Sequence, residues 1–146
     1  MSPQMIGLLV GGILPALFYG ISSVFAKSSA NLGMSVGGHL VCIGIAISLT
    51  GGLFNLLLPG TIPSTTAALS STLQGAFWGI GTGCLIVGII KYEAPLAKLV
   101  PLYNMNTLVT VGLALIIFAE WQDISLVKLL LGAALIMLGG ILVSGA

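Results

Sequence analysis

The chain has 146 residues, 58% of them hydrophobic and 5% charged, with a mean hydropathy of +1.22. So few charges cannot cover a water-soluble domain of this size, which excludes a soluble enzyme and leaves an outer surface that must face lipid. Four Lys against three acids give a formal net charge of +1, which offers no basic patch for a nucleic-acid backbone.

The expected fold is an all-α integral membrane protein: one bundle of five transmembrane helices, residues 1–146, in the plasma (inner) membrane. Crossing the hydrocarbon takes about 20 apolar residues. Runs of that length are continuous here rather than alternating, which favours helices over the strands of a barrel.

The first run covers residues 5–26, ends at Lys27 and is followed by the polar stretch Ser28, Ser29, Ala30, Asn31. Pro15, near its middle, is expected to bend or break it. Just beyond, Tyr19 and Ser23 are four residues apart and form either one wall of a cavity or an ordinary packing face. The second run covers residues 36–58 and stops at Pro59 and Gly60. His39 near its start is either an interfacial hydrogen-bonding residue or a proton relay. Cys42, and Cys84 in the next run, lie in apolar sequence where a thiol acts as a small hydrophobe, so neither a disulfide nor a metal site is expected. Residues 59–68 (PGTIPSTTAA) have loop composition.

The third run covers residues 71–90, with Ser71 and Gln74 spaced as a capping box. It carries Gly75, Gly79 and Gly83, four residues apart, a shallow groove into which a neighbouring helix is expected to pack. The fourth covers residues 95–118, with Pro95 as a helix-start residue and Pro101 as a kink. Tyr103, Asn106, Thr107 and Thr110 fall within an arc of roughly 100° on a regular helix. Lys98 lies one to two turns nearer the lysine-rich face, and Asn104 points away. An amide or charge within the membrane is costly unless it faces protein or water, so this stripe either lines a substrate pathway or bonds helices together. Lys98 itself is a counter-charge for an anionic ligand, a partner for Glu93, or a snorkelling interfacial lysine.

Glu120, Trp121 and Asp123 form a short connection, with Asp123 as N-cap of the fifth run, residues 124–143. There Gly132 and Gly139 share a face two turns apart, for packing within the bundle or against another molecule. Lys27, Lys91 and Lys98 against Lys128 favour an external N terminus and a cytoplasmic C terminus.

No Ser/His/acid arrangement, metal-ligand spacing or phosphate-binding loop is evident. The run GIGTG at 79–83 lies inside an apolar helix and reads as packing. Neither an enzyme nor a cofactor is expected.

Residues 94–143 (APLAKLVPLYNMNTLVTVGLALIIFAEWQDISLVKLLLGAALIMLGGILV) resemble the last two helices of an EamA-type domain of the drug/metabolite transporter superfamily. The resemblance rests on Pro101, on Glu120 at the helix end, and on G-x-x-L-I-x-x-G-G ending at Gly140. Residues 16–27 (ALFYGISSVFAK) resemble that domain's first helix more loosely. The Gly132 and Gly139 pair resembles the dimerisation motif of the related small multidrug resistance proteins, and Phe77, Trp78, Gly79, Ile80, Gly81 resembles their third helix. Those exporters carry a membrane Glu in helix one, whereas this chain has no acid before Glu93. EamA transporters hold two inverted five-helix repeats and this chain holds one.

The resemblance implies a transporter of a small polar metabolite, with the pathway built between two repeats. The expected partners are therefore the lipid bilayer, a small-molecule substrate, and a second copy of the chain or another small membrane protein. The rival expectation is a non-transporting membrane subunit of a larger complex, with the Asn and Thr of the fourth helix bonded to neighbours.

Overall fold

The computed structural model describes residues 3–119 and 124–145, and every regular element among them is a helix. Five helical stretches are long and apolar enough to cross a membrane: Met5–Asn31, Val36–Leu57, Thr65–Lys91, Leu96–Ile117 and Leu126–Gly145. Their apolar side chains point outward. Leu56, Ile116 and Leu142 are more than 70% exposed, while the fully covered apolar residues are small or few: Ala26, Ile86, Ile89 and Ala133. Large apolar side chains outside and small ones between helices is the pattern expected where lipid replaces water as solvent.

The first stretch is not uniform. Helix α1 (Pro3–Leu8) passes through a π-helical turn (Leu9–Ile13) into α2 (Leu14–Asn31). Leu14 N–H reaches back to Leu9 O across that wider turn. Pro15 therefore enters at the start of α2, where its missing N–H costs little and the widened turn takes up its ring. The distortion expected at Pro15 falls on the residues before it. Helix α2 also runs past Lys27 to Asn31, so Ser28, Ser29 and Asn31 are helical rather than linker. After the turn at Gly33, with φ of 83°, Ser35 caps α3 (Val36–Leu57), its hydroxyl accepting from Gly38 N–H at 3.1 Å.

Helix α4 (Thr65–Lys91) begins six residues before the expected Ser71. Its N-cap is Ser64, which accepts from Ala67 N–H at 3.2 Å, so the capping box at Ser71 and Gln74 is not used. Thr65, Thr66, Ser70, Ser71 and Thr72 belong to the helix because helical hydrogen bonding does not stop where apolar sequence does.

Two compact units result, residues 1–93 and residues 94–146. In the first, α2 and α3 both pack on α4, with Ser23, Ala26 and His39 of the two outer helices and Ile86 and Ile89 of α4 buried. In the second, α5 (Leu96–Tyr103) and α6 (Asn106–Ile117) pack on α7 (Leu126–Gly145), α5 more extensively. Asp123, Glu120 and Trp121 lie outside the described residues.

Candidate functional site

The polar residues of the fourth span sit where the helix is interrupted. Pro95 precedes the first turn of α5, as its lack of an N–H favours, and α5 then stops at Tyr103 before α6 starts at Asn106. Across the gap the backbone tightens: Met105 N–H donates to Leu102 O, Thr107 N–H to Asn104 O and Leu108 N–H to Met105 O, each near 3.1 Å. The Thr107 hydroxyl also donates to Asn104 O, at 2.8 Å. The causes are local. Pro101 withdraws one donor from the last turn of α5, Asn104 and Asn106 have weak helix propensity, and Thr107 offers the Asn104 carbonyl an alternative partner. The single kink expected at Pro101 is thus a break centred on Asn104 and Met105.

Helical spacing alone no longer relates Tyr103 to Asn106, Thr107 and Thr110, because the break lies between them. Asn106, Thr110 and Asn104 are exposed, Thr107 and Lys98 are partly covered, and Tyr103 is 37% exposed. Lys98 stands in the first turns of α5, its N–H closing onto Pro95 O at 3.0 Å. At the break the four-back pattern gives way to three-back bonds that take up the Leu102, Asn104 and Met105 carbonyls. The exposed side chains of Asn104 and Asn106 are the polar groups it presents, at the kind of position where interrupted membrane helices contact polar solutes.

Tyr19 and Ser23 belong to the first unit. Ser23 is buried and its hydroxyl donates to Tyr19 O at 2.9 Å, while the Tyr19 ring is exposed.

The glycines divide in an informative way. A Cβ at Gly83 would lie 3.6 Å from Leu40 and 3.9 Å from Val36, so α3 meets α4 there. Toward Gly79 and Gly75 nothing lies within 4 Å of the added Cβ. The two helices diverge around an apolar wedge of about 260 Å³ between Leu40, Ile43, Gly44 and Ile47 on one side and Gly75, Trp78 and Gly79 on the other. The expected groove is filled at one end and open at the other. In α7, Gly132 and Gly139 are likewise open, whereas Ala133 and Gly140, one position on, are buried. A Cβ at Gly140 would sit 3.0 Å from Pro101 O and 3.5 Å from Met105 Cγ, so the contact face within this unit is Ala133 and Gly140.

His39 joins α3 to α2. Its Nδ1 lies 3.1 Å from Ser29 Oγ, and its Nε2 is buried with no partner. Sequence reasoning pointed to a hydrogen-bonding role but gave no partner, since Ser29 is ten residues away. Removing the partner of a buried side chain and leaving its polar atom unsatisfied costs more than replacing that side chain by an apolar group of similar size. Ser29→Ala, which leaves both ring nitrogens unsatisfied, is expected to destabilise by about 1–3 kcal/mol, and His39→Leu by less. Melting temperatures of the two variants in detergent check that order.

Cys42 and Cys84 are free and exposed. Among the described residues, no group of three His, Cys, Asp or Glu side chains lies close enough to hold a metal ion. The site is therefore an interrupted, polar helix in a chain with five stretches suited to crossing a membrane. Comparison with protein-family models, curated proteins and solved structures finds no match.

Proposed function

We propose that the protein is a half-transporter: one repeat, similar to a single EamA domain of the drug/metabolite transporter superfamily, that pairs with a second copy to move a small polar metabolite by alternating access. The break between α5 and α6 carries this reading. Asn104 and Asn106 are exposed there beside backbone that is no longer α-helical, and such backbone is tolerated at membrane depth where it is covered by protein or lines a water-filled space. Asn106 and Thr110, exposed in this chain, are available to a solute, whereas the rival membrane subunit requires a partner to cover and bond them.

The second copy follows from the same physics. Inverted-repeat transporters place the substrate between two repeats, and one chain offers one. Gly132 and Gly139, open in this chain, are a close-approach surface suited to that partner. The weak lysine asymmetry is compatible with insertion in both orientations, as an antiparallel pair requires.

The test is uptake into sealed vesicles containing the purified protein, across a panel of labelled polar metabolites. At least one metabolite is expected to enter faster than into protein-free vesicles. Asn106→Leu and Lys98→Met are each expected to lower that rate by about tenfold, the loss of one charge-assisted or buried hydrogen bond. Uptake equal to protein-free vesicles for the whole panel would refute the proposal.

A further inference from the structure

Within the first unit, the last turns of α2 and α4 border an open cleft of about 440 Å³, lined by Lys27, Ala30, Asn31, Ile89, Ile90 and Glu93. Pockets of this size, about 300–1,000 Å³, hold small molecules or parts of larger ones. Among the described residues, Lys27 and Glu93 face this cleft without closing an ion pair with one another.

The two helix ends differ. At the end of α2, Leu32 N–H donates to Ser28 O, Gly33 N–H to Ala30 O and Met34 N–H to Ser29 O, which closes the last carbonyls. The end of α4 has no such closing bonds among the described residues. Its open carbonyls carry the negative end of the helix dipole and favour a cation. Lys91, in that last turn, does not line the cleft; its ammonium lies 5.6 Å from the centre of the Tyr92 ring. Glu93 follows, with φ of 51°, a left-handed conformation usually left to glycine after a helix.

The cleft thus carries a negative group, Glu93 just past the end of α4, and a positive one, Lys27 on α2. Asn31 adds an amide that both donates and accepts. A simple anion entering it meets Glu93 and a simple cation meets Lys27, so each is opposed by one wall. We infer that this cleft is a binding site for a zwitterion carrying a primary ammonium and an anionic oxygen, with the ammonium on Glu93 and the oxygen on Lys27. Both a phosphatidylethanolamine headgroup and a free amino-alcohol phosphate have this chemistry. The inference goes beyond the transport reading and does not rest on it, because a protein that moves nothing still binds here.

The experiment is native mass spectrometry of the intact protein released from nanodiscs of equal parts phosphatidylethanolamine and phosphatidylglycerol. Phosphatidylethanolamine is expected to be retained about tenfold over phosphatidylglycerol, the effect of one charge-assisted hydrogen bond. Glu93→Gln should remove the preference, Lys27→Gln should weaken retention of both lipids, and Lys27→Arg should restore it, which separates loss of the site from loss of folding. O-phosphoethanolamine is then added to the wild type. Displacement of the lipid supports a site that accepts free zwitterions too. Retention of the lipid, with the variant pattern intact, supports the headgroup as the ligand. Equal retention of the two lipids by wild type and Glu93→Gln alike overturns the inference.

Discussion

A Pro101→Ala, Thr107→Val double variant is expected to carry solute about tenfold more slowly than the wild type while remaining folded. Alanine at position 101 returns an N–H that can bond to Ala97 O, and valine at 107 removes the hydroxyl that now holds Asn104 O at 2.8 Å. With both changes, the regular four-back pattern competes with the three-back bonds of Met105, Thr107 and Leu108, and alanine is favoured over proline in a helix interior by about 3 kcal/mol. The fourth span then becomes one helix, and the polar break at Asn104 and Met105 is lost. Amide hydrogen exchange over residues 104–108 reports the structural change, and vesicle uptake the functional one. Greater protection with unchanged uptake would separate the break from transport.

Gly140→Leu is expected to prevent α5 from seating on α7. The closest atom to an added Cβ, at 3.0 Å, is the Pro101 carbonyl oxygen. That oxygen belongs to the backbone and cannot turn aside as a side chain does, so even Gly140→Ala should cost about 1–3 kcal/mol through overpacking. Leucine adds three further carbons in the same direction. The adjacent Gly139 is the internal control: nothing lies within 4 Å of its added Cβ, so Gly139→Ala should not destabilise the isolated chain and should stabilise it by up to about 1 kcal/mol through helix propensity. Unfolding in detergent measures both. If the open glycine face receives a second copy, Gly139→Leu lowers cross-linking between copies without lowering the melting temperature.

The placement of five apolar spans was legible because hydropathy over about 20 residues depends on little beyond composition. Their ends were less so. The polar stretch 28–31 and residues 65–68 of the expected loop 59–68 complete α2 and α4 instead, since helix hydrogen bonds continue past the hydrocarbon edge when a cap such as Ser64 is available. The interruption of the fourth span was half visible. Pro101 announced an irregularity, but its place at Asn104 and Met105 depends on the Thr107 hydroxyl and on the three-back bonds around it, which no periodicity displays. Glycine spacing marked α4 and α7 as close-packing helices without selecting the face. Ala133 and Gly140 lie one residue from the expected Gly132 and Gly139, and a step of about 100° around a helix moves the contact to another side. The bridge from His39 to Ser29, and the cleft between Lys27 and Glu93, are tertiary and left no pattern in the sequence.

The proposal that one chain builds half of a route through the bilayer is tested most directly by the initial rate of solute uptake per protein molecule as the protein is diluted in vesicles, down to fewer than one chain per vesicle on average. A half-transporter that must pair loses activity per molecule as density falls, so total uptake follows roughly the square of protein density under mass action. Uptake proportional to protein down to single-chain vesicles would show that one molecule suffices and would contradict the account.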